Sequence, residues 1–232
     1  MNRKALISDL LLLLLIALAC FGAMAVLEAL AGLQRPVRIW LRLGASFGFI
    51  VVAVSAGGRR SGYGRFILAG LVCGWWGDYW LSYGGWGNFL AGLVAFLVGH
   101  VCYATAFYRY GIRVRTAGIS FSFLLVFAAI LFAWFFPNIP PNLHFWVLLY
   151  MLVISGMFAL AAGAIGRAGG WAIAGGAGAF WVSDVFVAYI HFFGSTVWAV
   201  VCAAMLYLGA QYTLAASIAA VRRGKAAEEQ AA

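Results

Sequence analysis

The chain has 232 residues, of which 66% are hydrophobic and 9% are charged, with a formal net charge of +9. A soluble domain carries roughly a quarter of its residues as charged side chains, so this composition excludes a water-soluble globule and indicates that lipid covers much of the surface. The basic residues lie in short clusters between apolar runs rather than along one face, which argues against nucleic acid as a partner.

The amino-terminal segment has features of both a signal peptide and a membrane helix. Arg3 and Lys4 precede an apolar run, and the small residues Ala23 and Ala25 could support cleavage. The apolar run continues to Leu33, however, which is too long for the core of a signal peptide. We therefore predict a retained first transmembrane helix.

Eight apolar stretches are long enough to cross a bilayer, which takes roughly 20 residues in a helix. They lie at about 5–33, 37–57, 65–84, 88–108, 116–136, 143–165, 170–192 and 196–221. Glycine, proline or basic residues separate these stretches, and no separator is long enough to form a soluble domain. The sequence therefore predicts an all-α, polytopic protein of the cell membrane, with a single transmembrane domain over residues 1–232.

Basic residues are distributed unevenly between the two sides that alternate along the chain. With the amino terminus in the cytoplasm, the inner side holds twelve of the 15 basic residues: Arg3, Lys4, Arg59, Arg60, Arg65, Arg109, Arg113, Arg115, Arg167, Arg222, Arg223 and Lys225. The outer half holds the other three: Arg35, Arg38 and Arg42. Cytoplasmic loops carry an excess of lysine and arginine, so the pattern predicts that both termini are cytoplasmic.

Asp78 and Asp184 are the acidic residues that lie well inside predicted spans. The other four lie near the ends of the first span or on the carboxy-terminal tail: Asp9, Glu28, Glu228 and Glu229. A carboxylate at the centre of a transmembrane helix costs about 2.5–3.5 kcal/mol on insertion scales. Ionisable residues at such depth usually mark a functional site. The alternative is a hydrogen-bonded pair that only holds two helices together.

The two aspartates are predicted to lie at one level of the membrane. Asp78 follows Arg65 by 13 residues and Asp184 follows Arg167 by 17, on spans that run in the same direction. At 1.5 Å per residue, Asp78 is roughly 20 Å and Asp184 roughly 20–25 Å from the inner boundary, so both lie in the outer half of the bilayer. Carboxylates that lie close together share protons and can perform acid–base chemistry.

Other polar side chains fall near the same depth and predict a lined cavity. His100 and Tyr103 are three residues apart, and Tyr207 and Gln211 four apart, so each pair shares a helix face. The complete set of predicted substrate-binding residues is Arg42, His100, Tyr103, Tyr150, Tyr207 and Gln211. The other two histidines, His144 and His191, are expected to meet water at the outer ends of helices.

No metal-ligand spacing is present, and no metal or cofactor is predicted. His100, Asp78 and Asp184 could supply three ligands to Zn²⁺, so a metal site stays an alternative. The four cysteines lie inside apolar runs and behave as small hydrophobic residues.

Two segments suggest an internal repeat. Residues 77–81 and 183–187 share the order small, Asp, any, aromatic, aliphatic, and they lie four predicted helices apart. A duplicated four-helix unit would produce this spacing.

Five motifs occur in a characteristic order along the chain. They are Gly77-Asp78 with Leu81; Phe89, Gly92, Phe96, His100 and Tyr103; Tyr150 with Met157; Gly178-Ala179-Phe180 through Ser183-Asp184; and Tyr207 with Gln211 and Ala216-Ser217. In these motifs, from about Arg42 to Ser217, the chain resembles the YhhN-like membrane proteins, the lysoplasmalogenase family. The family usually has Lys-Pro where this chain has Arg42-Leu43, which bears on headgroup preference because arginine presents a planar fork.

The resemblance implies hydrolysis of the vinyl ether bond of lysoplasmalogens, a class of lysophospholipid, to a fatty aldehyde and a glycerophospho-alcohol. Such chemistry needs a proton donor and a carboxylate, as in glycoside hydrolysis, and Asp78 and Asp184 are the expected catalytic pair. Arg42 is the expected contact for the substrate phosphate. The alternatives are a metal-dependent, amidase-like lipid hydrolase, a proton-coupled transporter of lipids or small molecules, and a non-catalytic scaffold.

Overall fold

The computed structural model describes residues 34–231, and this part of the chain forms seven α-helices and no strands. They are α1 (Arg35–Ser55), α2 (Gly62–Leu81), α3 (Trp86–Tyr110), α4 (Val114–Phe135), α5 (His144–Gly163), α6 (Gly170–Phe192) and α7 (Val197–Ala231). Short 3₁₀ turns precede α2 and connect α4 to α5. The described part of the chain is therefore all-helical, as the sequence predicts.

The helices correspond to the second to eighth predicted spans. Most helix ends lie only two or three residues from the predicted ones. The agreement is close because glycine and proline near the helix ends mark these limits in the sequence. The largest difference is in α7, which continues ten residues beyond the predicted end at 221. The predicted first span at 5–33, with Asp9 and Glu28, lies outside the described residues.

Adjacent helices run in alternating directions, which gives the bundle two distinct ends. At the end that we call the Phe89 end, the start of α3, the end of α4, the start of α5 and the end of α6 pack together through Phe89, Phe135, Val147 and Phe192. At the opposite end, Arg222 of α7 donates to the carbonyl of Ala56 at 2.9 Å and ties α7 to the end of α1. We call this the Arg222 end.

Six of the seven described helices are long and apolar enough to cross a membrane: α1, α3, α4, α5, α6 and α7. Their outward side chains are large and apolar, as in α4, where Phe123 is 66% exposed and Ile130 61% exposed. Exposed apolar surface of this extent is stable in lipid but not in water. The chain is a multi-pass membrane protein.

Helix α2 falls below the hydropathy of the other six because it contains Arg65, Asp78 and several glycines. It is nevertheless central, and it packs against α1, α3 and α7. A Cβ atom added at Gly70 would lie 2.3 Å from the Tyr103 ring of α3, and one at Gly77 would lie 2.4 Å from the Phe96 ring. The glycines therefore allow a close approach that drives helix association in lipid.

Gly77→Ala should destabilise the protein by about 1–3 kcal/mol, since the added methyl group overlaps the Phe96 ring in a packed interior. Gly118→Ala in α4 is the matched control, because no atom lies within 4 Å of its added Cβ. The control should be neutral or stabilising, since alanine favours helix over glycine by about 1 kcal/mol. Thermal unfolding in detergent measures both, and equal stability of the two variants would contradict the packing explanation.

Candidate active site

A cavity of about 240 Å³ lies between the helices, and all seven described helices contribute to its wall. Its polar lining consists of Arg42, Ser46, Asp78, Tyr150, Trp181, Asp184, His191 and Tyr207. The rest of the wall is aliphatic or aromatic, with a concentration of such side chains towards the Phe89 end. A mostly apolar cavity with a few convergent polar groups is typical of a site for a small ligand.

Asp78 of α2 is 1% exposed and accepts hydrogen bonds from two hydroxyl groups at the same oxygen. Ser46 Oγ of α1 donates to Oδ2 at 2.5 Å, and Tyr207 OH of α7 donates to it at 2.7 Å. The second oxygen, Oδ1, has no hydrogen-bond partner in the described part of the chain and lies 3.6 Å from the guanidinium of Arg42. One carboxylate oxygen is thus held by two hydroxyl groups, and the other faces the Arg42 guanidinium.

Asp184 of α6 is more open than Asp78, with 16% of its side chain exposed. Tyr150 OH of α5 donates to Asp184 Oδ2. His100 Nε2 of α3 lies 2.8 Å from Tyr150 OH and 3.5 Å from Asp184 Oδ2. Because the tyrosine proton points to the carboxylate, the histidine must donate to the tyrosine oxygen, so His100 carries its proton on Nε2.

Three of the predicted substrate-binding residues lie behind the cavity wall rather than in it: His100, Tyr103 and Gln211. Tyr103 OH donates to Gln211 Oε1 at 2.6 Å, and Gln211 Nε2 donates to Tyr207 OH at 3.2 Å. Tyr207 in turn donates to Asp78, so the three hydrogen bonds all point towards one carboxylate. Bonds in such a chain polarise one another and fix the orientation of the last donor.

The other predicted residues meet in one place. Asp78, Asp184, Arg42, Tyr150 and Tyr207 come from five different helices, and all of them line the cavity. The separate polar positions in the sequence therefore belong to a single site.

Three polar residues of the cavity were not in the predicted set: Ser46, Trp181 and His191. Ser46 lies four residues after Arg42 on α1, and that spacing was a usable signal for a shared face. His191 was expected to end a helix and to meet water; it lies in the last turn of α6, is partly exposed, and also lines the cavity. The ring lines the cavity because the last turn of α6 packs against Phe89 of α3, with ring centroids 4.5 Å apart.

The surroundings of the two aspartates correspond helix by helix. Asp78 on α2 receives a hydroxyl group from the preceding helix α1 and another from α7. Asp184 on α6 receives a hydroxyl group from the preceding helix α5 and is approached by His100 of α3. Helices α1, α2 and α7 around Asp78 thus correspond to α5, α6 and α3 around Asp184, and the members of each pair are four positions apart in the helix order. This is the arrangement that the predicted four-helix repeat would give.

Comparison with known families identifies the family to which the chain belongs. The sequence model described as the YhhN family matches residues 10–218, which include every residue of the cavity wall. The chain belongs to the YhhN family. Neither the curated proteins nor the solved structures contain a significant match to it.

The aspartates of this YhhN-family protein do not form a metal-ligand set in the described residues. Within 34–231, no three side chains of His, Cys, Asp or Glu converge on one point as metal ligands. His100 contacts Asp184, whereas Asp78 is surrounded by hydroxyl groups and Arg42. The carboxylates are therefore arranged as two centres on one cavity.

Tyr207→Phe should reduce the activity of the site by about 10- to 100-fold, because Asp78 loses a hydrogen bond to a charged group, worth about 1.5–3 kcal/mol. The chain of donors from Tyr103 would then end before the carboxylate. Tyr212→Phe is the control on the same helix, since Tyr212 OH donates to the Ala45 carbonyl at 3.0 Å and does not line the cavity. Turnover of a lyso-alkenyl phospholipid, the substrate class that the family resemblance implies, measures both variants, and equal losses would contradict the assignment.

Proposed function

We propose that the protein is an intramembrane lipid hydrolase, and specifically a lysoplasmalogenase. The observation that carries the proposal is the pair of aspartates, Asp78 and Asp184, on separate helices of one largely apolar cavity. Hydrolysis of a vinyl ether needs two such groups, a proton donor and a carboxylate, within a site that a lipid can enter. Membership of the YhhN family is consistent with hydrolase activity.

The first step is proton transfer from the protonated aspartate to the β-carbon of the vinyl ether. The carbon–carbon double bond supplies the electron pair for the new C–H bond, and the α-carbon and ether oxygen share the resulting positive charge. The ionised aspartate stabilises this oxocarbenium ion, as the second carboxylate does in glycoside hydrolysis.

Water then attacks the α-carbon, and the ionised aspartate accepts one proton from it to leave a hemiacetal. In the last step the hemiacetal hydroxyl returns a proton to the first aspartate while the carbon–oxygen bond to glycerol breaks. The second aspartate donates its proton to the departing glycerol oxygen. One water is consumed, an aldehyde and a glycerophospho-alcohol are released, and both aspartates regain their starting states.

The remaining polar residues support this chemistry in distinct ways. Arg42 is 41% exposed and lies 3.6 Å from Asp78, and its planar guanidinium suits a substrate phosphate. Tyr150 and Tyr207 hold the two carboxylates from inside the cavity. His100, Tyr103 and Gln211 act from behind the wall by orienting these tyrosines.

The size of the cavity favours a lipid with one chain. A volume of about 240 Å³ is below the roughly 300–1,000 Å³ of sites that enclose a drug-sized ligand. The glycerol end of a lysolipid needs less room than that of a two-chain phospholipid. The cleaved bond of a lysolipid also lies just below its headgroup, at a depth that matches the predicted level of the aspartates.

We further propose a single domain of eight transmembrane helices in the cell membrane, with both termini in the cytoplasm. The described basic residues support this orientation, since ten lie towards the Arg222 end and three towards the Phe89 end. The Arg222 end would then face the cytoplasm and the Phe89 end the outside.

Proton-coupled transport of a lipid or small molecule is the second candidate function. The helix-by-helix correspondence around Asp78 and Asp184 favours it, because many transporters are built from repeats with their binding site at the repeat interface. A transporter would bind and move its substrate without breaking a bond.

Aldehyde release from a lyso-alkenyl phospholipid tests the proposed function. The purified protein in detergent should release one fatty aldehyde for each glycerophospho-alcohol, and chelators should have no effect. Intact lipid after prolonged incubation with a well-folded protein would overturn the proposal. Loss of activity on chelation would instead favour the metal-dependent hydrolase.

A further inference from the structure

His191 lies on the same face of α6 as Asp184. Asp184, Val187, Ala188 and His191 all line the cavity and follow the spacing i, i+3, i+4, i+7 of one helix face. His191 is therefore two turns, or roughly 10 Å, from Asp184 along the helix axis. The direction is towards the Phe89 end, where the lipid headgroup would lie in the proposed orientation.

The hydrogen bonding of His191 leaves one ring nitrogen available to a ligand. Nδ1 lies 2.8 Å from the carbonyl oxygen of Val187, and a carbonyl only accepts, so Nδ1 carries a proton. In the neutral ring, Nε2 is then an acceptor. The Phe89 ring packs against the imidazole and fixes its position. A fixed acceptor in a cavity wall recognises a group that carries a hydrogen to donate.

Arg42 occupies the other polar position towards the Phe89 end. Arg42 and His191 line the same cavity. In the proposed function Arg42 binds the phosphate, so His191 lies where the next group of the headgroup would be. A phosphoethanolamine headgroup places its ammonium beyond the phosphate, at a distance from the ether oxygen comparable to the spacing of Asp184 and His191.

We propose that His191 is a specificity-determining residue that accepts a hydrogen bond from a primary ammonium headgroup, as in ethanolamine lysolipids. The proposal rests on the lysoplasmalogenase function above. A choline headgroup has the same charge but no N–H donor, so it cannot make this bond. The enzyme should therefore distinguish two substrates that differ only in three methyl groups.

The test compares lyso-alkenyl phosphoethanolamine with lyso-alkenyl phosphocholine by aldehyde release. The wild-type kcat/KM should favour ethanolamine by about tenfold or more, which is the contribution of one hydrogen bond to a charged group. His191→Phe keeps a ring against Phe89 and should bring the ratio to about one, mainly through KM for ethanolamine. His191→Gln keeps a side-chain acceptor and should retain part of the preference.

His144→Phe is the matched control. His144 also lies near the Phe89 end and stacks on an aromatic ring, Phe136, at a centroid distance of 4.2 Å, but it does not line the cavity. The headgroup ratio of this variant should equal that of the wild type.

The outcomes separate the two proposals. Aldehyde release from neither substrate would overturn the hydrolase function itself. Release from both at equal kcat/KM by the wild type, or an unchanged ratio in His191→Phe, would leave the hydrolase intact and overturn the role of His191. A preference for choline would point to recognition by aromatic rings instead.

Discussion

Asp78→Asn and Asp184→Asn should each reduce kcat for aldehyde release by about 10²–10⁴-fold, the usual contribution of a general acid or base. The carboxamide has the shape of the carboxylate but can neither release nor accept the proton that the reaction transfers. Because both groups act in each half of the proposed cycle, the double variant should be only slightly worse than either single variant. Rates from a fixed amount of folded protein measure the effect.

The control for these variants is Glu229→Gln, which makes the same chemical change at an exposed position on the end of α7. Its activity should equal that of the wild type. Retention of the wild-type elution volume and thermal midpoint in detergent would show that the aspartate variants still fold. Substantial activity in either folded aspartate variant would exclude the paired-carboxylate mechanism, even if the substrate is right.

Arg42→Met should raise KM for a lyso-alkenyl phospholipid by about 10- to 100-fold, because a charge-assisted contact to phosphate contributes about 1.5–3 kcal/mol. Methionine keeps much of the apolar volume of the side chain and removes the guanidinium. The KM of Arg42→Lys should lie between those of the wild type and Arg42→Met, since lysine keeps the charge but loses the planar fork. Steady-state kinetics across substrate concentration separate KM from kcat.

Arg42 also lies 3.6 Å from Asp78, so its removal could act through the carboxylate instead. An alkenyl glycerol without phosphate distinguishes the two effects. If Arg42 serves the phosphate, wild type and Arg42→Met should cleave this substrate equally. A fall in kcat on both substrates would instead assign Arg42 to Asp78. Arg38→Met, an exposed residue one turn earlier on α1, should change neither substrate.

The central position of α2 in the bundle does not follow from the hydropathy of its sequence. Arg65, Asp78 and several glycines lower the hydropathy of this helix below that of the other described helices. Neighbouring helices cover those polar and glycine positions, so the helix does not need an apolar face all round. Its place in the bundle is therefore set by contacts such as Gly70 with Tyr103 rather than by its own transfer to lipid.

The sequence by itself determined the helices, their approximate limits and the two intramembrane carboxylates. These features depend on local properties: apolar length, glycine and proline at the ends, and the cost of charge in lipid. It also placed His100 with Tyr103, and Tyr207 with Gln211, because residues three or four apart on one helix share a face whatever the fold.

Only the tertiary structure decided which side chains meet. The pairing of Asp78 with Ser46 and Tyr207, and of Asp184 with Tyr150, depends on how five helices rotate and approach one another. Contacts between aromatic rings, and glycines that let helices approach closely, set this rotation and approach. Such contacts between helices produce no periodic pattern in the sequence of a single helix. For the same reason His191 could be predicted to end a helix, but not to line the cavity.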